Sequence, residues 1–106
     1  MKRDVFQAIA DPTRRAILVL IAVQAMTPNA IAEHFPSSRQ AISKHIHVLL
    51  ECELLNQQQQ GREIFYHLNP TKMQDVDNWL QQFRDLVEKR FTQLDDVLVK
   101  LKTEQK

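Results

Sequence analysis

The chain has 106 residues, of which 43% are hydrophobic and 25% charged, and its formal net charge is +1. That length supports one domain with a modest core, and no apolar run approaches the roughly 20 residues of a membrane span. Cys52 is the lone cysteine, which excludes an internal disulfide and points to an intracellular, cytoplasmic protein.

The N-terminus lacks the charged start, apolar stretch and small-residue cleavage site of a secretion signal. Asp4 to Ala10 (DVFQAIA) reads as a short helix with Val5, Phe6 and Ile9 on one side. Asp11-Pro12 then restarts the chain, since Asp is a good N-cap and Pro suits the first helical position. The second helix runs from Pro12 to Ala25, and Ile17, Leu18, Leu20 and Ile21 make it the central core helix. Thr27-Pro28 repeats the cap-plus-proline signal and opens a third, short helix to Phe35, with Ile31, Ala32 and Phe35 as its apolar side.

Pro36 ends that helix. Ser37-Ser38-Arg39-Gln40 fits an S-x-x-Q capping box, so a fourth helix starts near Ser38 and runs to about Glu53. At 100° per residue, Ile42, Ile46, Leu49 and Glu53 fall together, with Glu53 marking a frayed end. Gln40, Ser43, Lys44, His47 and Glu51 fall on the opposite side. Leu54–Gln58 and Glu63–Leu68 then form a hairpin, with Gly61, the chain's single glycine, supplying the positive φ of a tight turn. The alternative for QQQQ is a low-complexity loop. From Thr71 the chain becomes one long helix. Met73, Leu80, Val87, Leu94 and Leu101 recur every seven residues, and Val76, Phe83, Arg90 and Val97 follow three later. Trp79, Leu86, Phe91 and Leu98 widen this stripe. A helix of about 30 residues spans about 45 Å, too long for so small a domain to cover, so the stripe needs a partner, most simply a second copy. The bland reading is that Met73 to Val87 caps the domain's own core.

Short helix, tight turn, polar-faced helix and hairpin describe a winged helix-turn-helix that binds double-stranded DNA. Arg39 and Gln40 lie at the helix start, and Ser43, Lys44 and His47 continue its exposed face. Arg pairs with guanine and Gln with adenine in a major groove. The Ser37 and Ser38 hydroxyls and the first-turn N–H groups suit phosphates, and Arg62 at the hairpin tip suits a minor groove or a flanking phosphate. No acidic residue occurs from His34 to Leu50, whereas residues 69–106 carry seven basic and seven acidic residues that cancel. The bland reading is a merely solvated face, against which capping box, turn, acid-free stretch and wing coincide.

Metal and catalytic chemistry find little support. The four histidines are His34, His45, His47 and His67; His47 and Glu51 stand at i,i+4, but there is no Cys pair or H-x-x-x-H. There is no G-x-S-x-G, dinucleotide fingerprint or phosphate loop. The expectation is no enzyme, no cofactor, no metal and no small-molecule ligand.

AIADPTRRAIL, IAEHFPSSRQAISKHIHVLLECELL and GREIFYHLN together resemble the ArsR/SmtB family of dimeric bacterial winged-helix repressors, over roughly residues 4–80. Asn78 to Leu80 look closest to its SdpR-like autorepressor branch. The resemblance implies a homodimer whose recognition helix is Ser38 to Glu51. Ser38, Arg39, Gln40, Ser43 and Lys44 would touch DNA, His45 would set the helix or meet a phosphate, and Arg62 would serve the wing. It also implies that the first and last helices build the dimer interface. Val5, Phe6, Met73, Val76, Leu80, Phe83, Val87, Phe91 and Leu94 are the candidates there. Two departures stand out. Residues 27–35 (TPNAIAEHF) lack the cysteine box of metal-sensing members and no histidine follows His67, so no metal sensing is expected. Glu53 stands where the family has glycine.

The expected architecture is therefore mainly α with one β-hairpin, in the order α-α-α-α-β-β-α. It forms a single domain over residues 1–106, with 71–103 as the dimerisation helix. Its expected role is a homodimeric repressor of a palindromic operator, possibly regulating its own gene. The alternatives are a winged-helix protein-interaction dimer and a metal- or redox-responsive repressor working through Cys52 or His47 and Glu51.

Overall fold

The computed structural model describes residues 4–104. Its elements are α1 (Val5–Ala8), α2 (Pro12–Val23), α3 (Pro28–Ala32), α4 (Arg39–Glu51), β1 (Leu55–Gln60), β2 (Glu63–Leu68) and α5 (Pro70–Glu104). The residues form two units, one ending at Val76 and the other beginning at Asp77, so that α5 contributes to both.

Side chains cap each of the first four helices. Asp4 accepts from the Gln7 N–H while the Gln7 side chain accepts from the Asp4 N–H, a reciprocal capping box. Asp11 caps α2 through the Arg14 N–H at 3.0 Å, and Thr27 caps α3 through the Ala30 N–H at 3.2 Å. On α4 the cap is Ser38, accepting from the Ala41 N–H at 3.1 Å. The S-x-x-Q box expected from Ser37 is not made, because three residues past Ser38 stands Ala41, which has no side-chain acceptor. The first three helices end earlier than the sequence suggests, at Ala8, Val23 and Ala32.

In the first unit, Ile17, Ile31, Ile42, Leu49 and Leu54 are all less than 2% exposed. Burying each contributes roughly 1.5–3 kcal/mol of transfer free energy. Ile17, Leu18 and Ile21 are the buried positions of α2, while Leu20 is half-buried. The hairpin is antiparallel, with Leu55 opposite Leu68 and Gln60 opposite Glu63, which leaves Gly61 and Arg62 as the two turn residues. Gly61 takes φ +64, and all of Gln57–Gln60 lies in β1, so the low-complexity loop is overturned. Backbone pairing with β2 supplies what a polar strand lacks alone. Met26 adds a bridge on the other edge of β2, its N–H 3.2 Å from the Tyr66 carbonyl and its carbonyl 2.8 Å from the Tyr66 N–H.

The join between α4 and β1 is a Schellman turn. The Glu53 N–H donates to the Leu50 carbonyl and the Leu54 N–H to the Leu49 carbonyl, both at 3.0 Å. Leu49 and Leu54 are both fully buried. Glu53 therefore takes φ +61, the left-handed conformation that glycine favours, and lies outside the helix rather than at a frayed end. Asn69 holds the turn, its side-chain amide donating to the Glu53 carbonyl at 2.8 Å and its backbone N–H to the Leu54 carbonyl at 2.8 Å.

α5 has 35 residues, about 52 Å of helix. Of its heptad row, Val76 is buried and Met73 packs partly against the core of the first unit. In the second unit, Leu80, Phe83, Val87, Phe91, Leu94, Val97 and Leu101 are between 43% and 63% exposed. Trp79 meets Phe83 edge-on at 4.8 Å. The Arg84 guanidinium lies 3.0 Å from Asp77, and the Gln81 amide 2.9 Å from Asp85. No helix among the described residues is long and apolar enough to cross a membrane.

Candidate nucleic-acid interface

α4 separates apolar from polar side chains as its spacing dictates. Ile42, Ile46 and Leu49 are buried, while Arg39, Gln40, Ser43, Lys44, His47 and Glu51 are exposed. Ser37 and Ser38 are exposed in the turn before it. A helix start leaves backbone N–H groups without helical partners, and the Ser38 hydroxyl serves the one on Ala41. The N–H groups of Arg39 and Gln40 lie in the first turn, at the positive end of the helix dipole, a favourable setting for phosphate oxygens.

The two histidines on α4 differ in setting. His47 is on the exposed face, with 71% of its side chain accessible, and its Nε2 lies 2.8 Å from Glu51 Oε1. A carboxylate only accepts, so Nε2 carries the proton. Glu51 also puts negative charge at the far end of this face, so the acid-free part is its N-terminal half. His45 is turned inward, with 25% of its side chain accessible, and its Nδ1 is 3.3 Å from Arg14 Nη1 and 3.8 Å from Asp11 Oδ2. Its ring thus meets the α1–α2 junction. Asp11 is held below the usual carboxylate range, chiefly by the backbone N–H of Arg14, with the Arg14 charge and the Thr13 N–H adding to that effect.

Arg62 is exposed at the hairpin turn and shares a shallow groove with Thr27, Pro28, Asn29, Glu63 and Ile64. Arg62 and the start of α3 thus line one surface. The Gln59 amide braces the turn by donating to the Gly61 carbonyl at 3.3 Å.

Among the expected dimer positions, Val5 and Val76 are buried within their own subunit, Met73 is half-buried, and Phe6 is 38% exposed. Leu80, Phe83, Val87, Phe91 and Leu94 are exposed. Cys52 is buried, with Sγ 3.5 Å from the Asp4 carbonyl. Among the described residues, no three His, Cys, Asp or Glu side chains cluster as metal ligands. Sequence reading missed the part played by Arg14. The DPTRR segment shows its cap and its proline, but nothing in the spacing indicates that an arginine reaches His45, 31 residues on.

A helix-turn-helix domain model matches residues 9–58. The transcriptional repressor SdpR of Bacillus subtilis (strain 168) is 45% identical over 80 residues, covering 76% of this chain and 89% of SdpR. An ArsR-like transcriptional regulator from Rhodococcus sp. RHA1 superposes with a TM-score of 0.68 at 29% identity, covering 88% of each chain. The crystal structure of an ArsR family transcriptional regulator gives a TM-score of 0.69 at 32% identity, covering 78% of this chain and 86% of that one.

Proposed function

The chain belongs to the ArsR family of winged helix-turn-helix transcriptional regulators, and on that premise we propose that it is a homodimeric repressor of a palindromic operator. The N-terminal half of α4 enters the major groove, with Arg39, Gln40, Ser43 and Lys44 at base edges and phosphates. Ser37 and Ser38 hold the backbone where the helix begins, His47 reaches a phosphate at the groove margin, and Arg62 on the wing contacts the flanking backbone. The observation that carries this reading is the exposed, acid-free first half of α4, next to a hairpin tipped by Arg62.

Two copies pair through Phe6 and the exposed apolar row of α5, which sets two copies of α4 about one helical turn of DNA apart. Leu80, Phe83, Val87, Phe91 and Leu94 support this, because a row of large apolar side chains left half-exposed in one copy is what a second copy covers. The protein works in the cytoplasm. Its level sets repression without a small-molecule ligand, a reading tested by constant operator affinity across metals, chelator, oxidant and metabolites.

The experiment that tests the function is selection of bound fragments from the source genome with purified protein. Enrichment of one palindromic site is the expected result. Retention of random fragments in proportion to their abundance contradicts it. Recovery of a fragment from the promoter of this gene itself supports autoregulation.

A further inference from the structure

We infer that Arg14 is a positioning residue for DNA reading: through His45 it pins the recognition helix to the carbonyl end of α1. The inference rests on the proposal that α4 reads DNA. Arg14 makes four identifiable bonds. Its backbone N–H donates to Asp11, and its side chain donates to three acceptors on two elements. Nε reaches the Ala8 carbonyl at 2.7 Å, Nη2 the Gln7 carbonyl at 3.2 Å, and Nη1 the His45 Nδ1 at 3.3 Å. The first serves the Ala8 carbonyl at the end of α1, and the second adds to the Gln7 carbonyl, which also accepts from the Ala10 N–H at 3.3 Å. The third crosses to the inner face of α4. Because a guanidinium has no acceptor, His45 Nδ1 must accept in this contact, which places the ring N–H on Nε2.

Core packing of Ile42, Ile46 and Leu49 holds α4 on the domain, and directional polar contacts add to this by fixing its rotation and tilt. α4 has a second such contact to the same short element, the Cys52 thiol against the Asp4 carbonyl at 3.5 Å. His45 and Cys52 are seven residues apart, about two helical turns; the Cys52 contact is to the Asp4 cap at the start of α1, and the Arg14 side chain extends from the carbonyls at its end to His45. α1 is therefore a strut fastened to the back of the recognition helix at both ends. The fastening at the His45 end lies nearer the base-reading turn, and its geometry needs the planar fork of arginine. A lysine in its place carries the charge but presents one nitrogen to three separated acceptors. Base readout depends on helix orientation, whereas phosphate attraction tolerates misalignment, so loosening this pin costs specificity before it costs affinity for DNA in general.

The test measures binding of the full chain to the operator selected by the wild type and to a scrambled duplex, at one salt concentration, with folding checked by thermal melting. Arg14→Gln, Arg14→Lys and His45→Phe should each weaken operator binding about tenfold while leaving the scrambled duplex within about twofold, the scale of one charge-assisted hydrogen bond. The Arg14→Gln/His45→Phe double variant should lose about tenfold in total, because the two side chains act as one unit. His45→Asn, which keeps an acceptor, should recover to within about threefold of wild type. Should an Arg14 variant fail to fold, the His45→Phe and His45→Asn pair carries the same comparison. Equal losses on both duplexes with a shallower salt dependence make Arg14 a phosphate contact and overturn the inference, as does a lysine variant with full discrimination or a double variant about a hundredfold weaker. A wild type without preference overturns the α4 reading itself, while a preference that survives Arg14→Gln overturns the pin alone.

Discussion

Glu53 sits just past the end of α4 in a conformation that favours glycine, with φ +61, and replacing it with glycine tests the physical account of that turn. A side chain in the left-handed region costs roughly 1–2 kcal/mol. Glycine removes that cost but brings extra unfolded-state entropy, roughly 0.4–1 kcal/mol. The substitution also deletes the contact between Glu53 and Lys72, which lie 3.4 Å apart with 56% and 43% of their side chains accessible. A pair that exposed contributes at most a few tenths of a kcal/mol after screening by solvent. The Schellman bonds and the Asn69 contact use only backbone atoms of Glu53 and survive. The balance favours Glu53→Gly by about 0.5 kcal/mol, a rise of about 2–4 °C in melting temperature for a domain of this size. Glu53→Ala keeps the strain and loses the contact, so it should be neutral or slightly destabilising. Thermal and urea unfolding at one fixed protomer concentration, with an unchanged urea slope, makes the comparison. If glycine proves less stable than alanine at this position, the strain argument is wrong.

On the DNA face, Arg39→Ala should lose roughly 1–3 kcal/mol of discrimination between operator and mismatched sites. Arg62→Ala should weaken binding to all sequences about equally and lower the salt slope by about one; a gel-shift titration at several salt concentrations in which Arg39→Ala keeps full operator preference refutes the reading-face assignment. Asp11→Asn keeps a good N-cap and removes the charge. Because the folded carboxylate titrates below its ordinary value near pH 4, its stabilisation is complete above that pH and is lost as pH falls through the folded value. The variant should therefore be less stable than wild type at pH 7, with the gap closing below about pH 4; a gap that is constant or widens on acidification contradicts this. In the second unit, Leu94→Asp places a charge in the exposed apolar row and should leave single protomers at micromolar concentration by sedimentation, with operator binding lost. A Leu94→Asp protein that remains dimeric puts the interface elsewhere.

The local half of this architecture is legible in the residues. Asp11-Pro12 and Thr27-Pro28 mark real helix starts, because cap and proline act within one turn and need no distant partner. The two faces of α4 follow from spacing alone, with Ile42 and Ile46 inside and Gln40 and Lys44 outside. What spacing misses depends on contacts far along the chain. Met26 pairs with Tyr66 across 40 residues of sequence, and only the folded hairpin offers that edge. Gln57–Gln60 form a strand because β2 supplies the partners, not because glutamine favours one. The heptad row reads as one continuous seam, yet Val76 belongs to the core of its own subunit while Leu80 is exposed, since period alone does not say which neighbour covers a position. In the candidate site, Arg39, Gln40, Ser43 and Lys44 sit where the helix register puts them. The inward contacts of His45 to Arg14 and Asp11 lie 31 and 34 residues away along the chain and leave no mark in the local spacing.

The central claim is that the polar first half of α4 reads a DNA sequence. Its most direct measurement is the ratio of wild-type affinities for the selected operator and a scrambled duplex at physiological salt. A ratio of about a thousand or more is expected for a specific regulator. Two equal affinities would contradict the account.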